Sequence, residues 1–123
     1  MKDTVREQLI SAGYDVDGAL ARFVNNEILY MTFLKKFPSD EHYGVIKPKL
    51  VAKEYDEAYK AAHAIKGVAG NLGLTPVFET VNELLQLIKK KDEVSDFDNQ
   101  VMLLFEKFDE AYGKSVEIIG SIE

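Results

Sequence analysis

The chain has 123 residues, with 15 Lys and Arg against 21 Asp and Glu, a formal charge of -6 at neutral pH. That balance opposes a phosphate backbone and excludes nucleic acid as a partner, and the absence of Cys removes disulfides and thiolate zinc sites. A composition 46% hydrophobic and 29% charged is that of a folded globular protein, expected as a single domain over residues 1–123. The first residues run into a polar helix without an apolar stretch fit for a leader or a membrane span, so a cytoplasmic protein, or a domain cut from one, is expected.

Val5, Leu9 and Ile10 predict an opening helix over residues 4–12, stopped by Gly13. A second short amphipathic piece follows Asp15 and Asp17 and carries Leu20, Phe23 and Val24, after which Asn25-Asn26 offers a cap. From Glu27 to Phe37, the residues Ile28, Leu29, Met31, Phe33, Leu34 and Phe37 predict a helix with a wide buried face that ends before Pro38. Residues 38–53 are the least legible: Gly44 and Pro48 interrupt a pattern of Val45, Ile46, Leu50 and Val51, and a loop with a short or kinked helix is expected.

A strong helical pattern runs from Glu54 to Leu72 and stops at Gly73. Thr75 as cap and Pro76 at the first helical position open the next helix, with the stripe Val77, Phe78, Val81, Leu84, Leu85 and Ile88 and a close in Lys89-Lys90-Lys91. A last helix starts near Ser95 or Asp96 and carries Phe97, Val101, Leu104, Phe105, Phe108, Tyr112, Val116 and Ile119. No segment alternates with period two and the connections are short, so the fold class is all-α, with antiparallel neighbours in a helical bundle.

The helix of residues 54–72 carries the chemistry. At about 100° per residue, Ala58, Ala61, Ala62, Ile65, Val68, Ala69 and Leu72 share one face. His63 lies opposite, with Asp56, Tyr59, Lys60, Lys66, Gly67 and Gly70 around it, so its ring is expected to point outward. Two glycines inside a helix cost about 0.8–1 kcal/mol each relative to Ala; here Gly67 and Gly70 would clear the surface beside His63 for an approaching protein, the alternative being a close helix crossing. A neutral imidazole has a free lone pair near pH 7 and needs no neighbouring base to attack phosphorus. Lys66, one turn along, could steady the charge on the moving group. Tyr59 and Lys60 are candidate partner contacts that could equally be plain solvated surface. No second His and no Cys lies one turn from His63, which disfavours a metal site; His42 is given no role.

The run Ala62 to Gly73, AHAIKGVAGNLG, resembles the signature of histidine-containing phosphotransfer (HPt) domains of two-component phosphorelays, with His, Lys, Gly and the closing Gly at the family's spacings. Leu20 to Phe37 and Thr75 to Leu87 resemble the helices on either side. The resemblance implies an up-down four-helix bundle with additional short N-terminal helices and the phosphorylated histidine on an exposed face. It implies a phosphorelay intermediate that takes a phosphoryl group from a receiver-domain aspartate onto His63 and passes it to another receiver aspartate. No kinase activity and no cofactor are expected in this chain, the catalytic aspartate, lysine and Mg2+ being the receiver's. The expected partners are response-regulator receiver domains and a hybrid sensor histidine kinase, with the chain a monomer, either independent or excised from such a kinase. From a different class, the same helices could form a docking module that binds a receiver or kinase without carrying phosphate.

Overall fold

The computed structural model describes residues 1–122. Among these it is all-helical, with seven α-helices: α1 (Asp3–Ser11), α2 (Val16–Arg22), α3 (Glu27–Lys36), α4 (Tyr43–Val51), α5 (Tyr55–Leu72), α6 (Thr75–Lys89) and α7 (Phe97–Gly120). A 3-10 turn, Phe37–Ser39, follows α3 directly.

The longer helices owe their existence to one apolar face each. α5 buries Ala58, Ala61, Ala62, Ile65, Ala69 and Leu72, and the four alanines let neighbouring helices approach closely. α6 buries Val77, Val81, Leu84, Leu85 and Ile88, while α7 buries Phe97, Val101, Phe105, Phe108, Tyr112 and Ile119. α5 packs between α4 and α6, and α6 packs in turn on α7. Their buried side chains form one core with Ile46 and Leu50 of α4.

The three N-terminal helices gather at the C-terminal end of α5. Asp15 caps α2 by accepting from the Gly18 amide at 3.0 Å, and Asn26 caps α3 by accepting from that of Leu29 at 3.0 Å, as the asparagine pair predicts. Leu9, Val16, Ala19, Tyr30 and Leu34 bring these helices into the core.

Three local expectations are corrected and a fourth is sharpened. Val24 is not part of an apolar face: it follows α2 with φ 55° and is 86% exposed, because the chain must turn sharply into α3. The buried stripe of α3 is narrow, limited to Tyr30 and Leu34 and continued by Phe37; Ile28 is 82% exposed, and Leu29 and Phe33 also face outward, since only one edge of α3 meets the rest of the fold. In the ambiguous segment the expected short helix forms, as the nine-residue α4, and it contains Pro48. Its missing amide forfeits only the bond to the Gly44 carbonyl, and burial of Ile46 and Leu50 offsets that loss. Thr75 is inside α6 rather than its cap, and its hydroxyl donates back to the Gly73 carbonyl at 3.4 Å.

α7 pins the α3–α4 connection. The Tyr112 hydroxyl donates to the carbonyls of Phe37 and Pro38 at 3.2 and 3.3 Å, and its ring stacks on Tyr43 with centroids 3.8 Å apart. This fixes the turn that borders α5.

Candidate functional site

α5 is fastened at its C-terminus by residues distant in sequence. Gly73 takes φ +71°, and the amide of Leu74 reaches back to the carbonyl of Ala69 at 2.9 Å, closing the helix as a left-handed cap. The remaining terminal carbonyls find partners in the N-terminal helices. Arg22 donates from Nε to Asn71 at 3.1 Å and from Nη2 to Gly70 at 2.7 Å, and the Tyr30 hydroxyl donates to Leu72 at 3.3 Å. The Asp15 amide donates to Gly73 at 2.8 Å. The carbonyls that a helix end leaves orphaned are thus satisfied by protein.

His63 stands midway along this helix, exposed, on the face opposite the buried alanines. Among the described residues its ring makes no hydrogen bond or ion pair. Among these residues its one aromatic neighbour is Tyr59, one turn earlier, with centroids 6.1 Å apart and planes inclined by 28°.

Lys66 is half-buried and lies over Phe78 of α6, its Nζ 5.6 Å from the ring centroid. It is in no ion pair among the described residues. Lys60 is exposed and pairs with Glu57 at 3.7 Å. Tyr59 is half-buried and lines a surface cavity of about 530 Å³ with Asp56, Lys60, Ile88, Lys89 and Lys91. The Lys89 ammonium sits 5.9 Å from the Tyr59 centroid.

The two glycines separate. A Cβ on Gly67 would meet no heavy atom within 4 Å, so this turn is open to solvent. A Cβ on Gly70 would stand 3.3 Å from two carbons of the Phe78 ring. The smallness of Gly70 therefore has a packing reason, the close crossing of α5 and α6 that the sequence left open as the alternative, whereas Gly67 has no such neighbour.

Sequence reasoning gave no site role to Arg22, Phe78 or Lys89. It also missed a groove of about 620 Å³ beside the end of α5, lined by Phe23, Phe33, Phe37, Val68 and Asn71 among others. The exposed Phe33, at i+4 from the exposed Leu29, was the available signal for it. His42 lies at the groove rim, its Nδ1 2.8 Å from Oδ1 of Asp40.

Chemically, an exposed imidazole without an internal partner can attack a group that another molecule delivers. Among the described residues, no group of three or more His, Cys, Asp or Glu is placed to hold a metal ion, and no helix is long and apolar enough to cross a membrane. Neither a curated protein nor a solved structure matches the chain. Residues 39–111 match the family model described as Hpt domain, a segment that runs from the end of the 3-10 turn into α7 and includes all of α5. Because that match covers more than half of the chain, and the matched region is helical throughout its elements, the chain belongs to the Hpt domain family, the phosphotransfer modules of two-component signalling.

Proposed function

We propose that this protein is a phosphorelay intermediate in which His63 receives a phosphoryl group from a receiver-domain aspartate and gives it to the aspartate of another receiver. The observation that carries the reading is the exposed His63 ring on α5, inside the matched segment, with the open turn of Gly67 beside it. A ring nitrogen would form the N–P bond as the acyl phosphate P–O bond breaks and the partner's carboxylate departs; the reverse passes the group on. Lys66 would leave Phe78 and approach the phosphoryl oxygens. Mg2+ belongs to the partner receiver, and this chain supplies no cofactor and no kinase activity.

The partners are response-regulator receivers and a hybrid sensor histidine kinase. Tyr59, Lys60, Gly67 and the outer edge of Gly70 would form the rim that meets a receiver, and the groove between Phe33 and Val68 would add apolar contact beside it. We read the chain as one monomeric domain over residues 1–123, with α4 to α7 as an antiparallel four-helix bundle and the short N-terminal helices as its addition. We place it in the cytoplasm with its partners.

The test is transfer from a phosphorylated receiver. An acid-labile, base-stable label on His63 is the expected result. Equal labelling of His63→Gln would remove the proposal, and binding of a receiver that ignores that substitution while no label moves would favour a pure docking module.

A further inference from the structure

We infer that Tyr59 is a positioning residue for His63, its ring holding the plane of the imidazole in one orientation on the exposed face of α5. The inference rests on the reading of His63 as phosphoryl acceptor and adds the device that prepares it.

A surface histidine on a helix is ordinarily free to turn. Its χ1 has up to three staggered wells and its χ2 roughly two, so only a fraction of the population presents a given nitrogen in a given direction. Here the imidazole has no hydrogen bond among the described residues to choose one well. A helical side chain leans toward the turn before its own Cα, and for His63 that turn carries Tyr59. The two rings are nearly parallel, inclined by 28° at 6.1 Å between centroids.

Tyr59 can act as such a surface because it is itself held. It is half-buried and packs against the core beside Ile88, and the Lys89 ammonium lies 5.9 Å from its ring. Its hydroxyl makes no hydrogen bond among the described residues, so the flat ring and not the oxygen is the working part. α6 thus acts on the histidine through the tyrosine, although none of its residues is stacked on the imidazole.

The inference separates from a docking role by the size of the donor. Phosphoramidate charges an exposed imidazole directly, with formation of the N–P bond and departure of ammonia, and has no surface to dock. With phosphoramidate, wild type and Tyr59→Phe are expected to label His63 at rates within about twofold of each other. Tyr59→Leu, which keeps apolar volume but lacks an aromatic face, should be about threefold slower, the loss expected when the ring spreads over its three χ1 wells. The nuclear magnetic resonance shifts of the His63 ring protons should stay put in Tyr59→Phe and move in Tyr59→Leu, since they report stacking and not stability. Charging of Tyr59→Leu at the wild-type rate overturns the inference, as does a Tyr59→Phe as slow as Tyr59→Leu. A Tyr59→Leu defect seen with a phosphorylated receiver but absent with phosphoramidate would make Tyr59 a docking residue and overturn it too. Equal labelling of His63→Gln in the same assay would instead remove the acceptor reading, and the positioning role with it.

Discussion

Arg22 donates from Nη2 to the carbonyl oxygen of Gly70 at 2.7 Å, joining α2 to the last turn of the helix that carries His63. Residue 22 lies outside the segment that matches the Hpt model, which begins at residue 39. An N-terminal addition therefore closes the open end of α5, and Tyr30 and Asp15 complete the closure at the carbonyls of Leu72 and Gly73.

Removing that clasp should cost stability and leave chemistry intact. A charged donor serving two helix-terminal carbonyls is worth about 1–2 kcal/mol when solvent can partly replace it. Arg22→Ala is expected to lower the free energy of urea unfolding by that amount, while the fraction of His63 labelled by phosphoramidate reaches the wild-type level. An unchanged urea midpoint would mean that water serves the two carbonyls equally well.

The two glycines of α5 and the one that caps it predict three different outcomes from one substitution. Gly67→Ala should stabilise by up to about 1 kcal/mol, since nothing lies within 4 Å of the added methyl and Ala is the better helix former. At Gly70 the same gain is opposed by the Phe78 ring 3.3 Å away, and the net change should be near zero or unfavourable. At Gly73 the added Cβ would stand 2.3 Å from the backbone oxygen of Asp15, in a residue with φ +71°. Gly73→Ala is expected to lose about 2–4 kcal/mol. Urea unfolding of the three variants gives the order directly. A bulky Gly67→Gln should fold nearly as wild type yet block transfer from a receiver, and normal transfer in it would place the partner elsewhere.

Alkaline pH should unfold the protein through its buried phenols. Burial pushes the hydroxyls of Tyr14, Tyr30 and Tyr112 up from the ordinary 10.0 to about 12. A raised phenol pKa means that the folded chain keeps a proton the unfolded chain releases near 10. Their contribution is therefore complete below pH 10 and is lost as pH rises from there through about 12. Tyrosinate absorbance and helical circular dichroism should change together in that window, as Tyr30 and Tyr112 give up their bonds to the Leu72, Phe37 and Pro38 carbonyls. Ionisation of all six tyrosines near pH 10 with the helices intact would contradict the burial.

What the sequence made legible follows from what periodicity encodes. The face of α5 opposite His63 was readable because Ala58, Ala61, Ala62, Ile65, Ala69 and Leu72 recur at helical spacing, and its end because Gly73 stops it. Periodicity does not say which apolar residues another element will cover, so Ile28, Leu29 and Phe33 look like core although only one edge of α3 is covered. Pro48 obscured α4 because a proline is read as a break, whereas a single lost amide is tolerated when the face it interrupts is buried. The pairs Gly70 with Phe78 and Tyr59 with Lys89 belong to the crossing of α5 and α6, and no local spacing rule announces them.

Lys66 is the last point at which the geometry commits itself. Its ammonium rests 5.6 Å from the Phe78 centroid, and the ring it rests on occupies space that Gly70 leaves free. A cation over an aromatic face gives up little hydration, so the contact is worth about 0.5–1 kcal/mol, and under the proposed function a dianionic phosphoryl group on His63 would compete with it readily. Lys66→Ala should shorten the lifetime of the phosphorylated state or slow transfer about tenfold, the loss of one flexible stabilising charge. Phe78→Leu removes the resting place but not the charge, so its phosphorylated lifetime should match or exceed that of wild type while Lys66→Ala falls short. Lifetimes measured after removal of the donor give both values, and a Lys66→Ala protein that holds its phosphate as long as wild type would leave the ammonium as surface charge on Phe78 and nothing more.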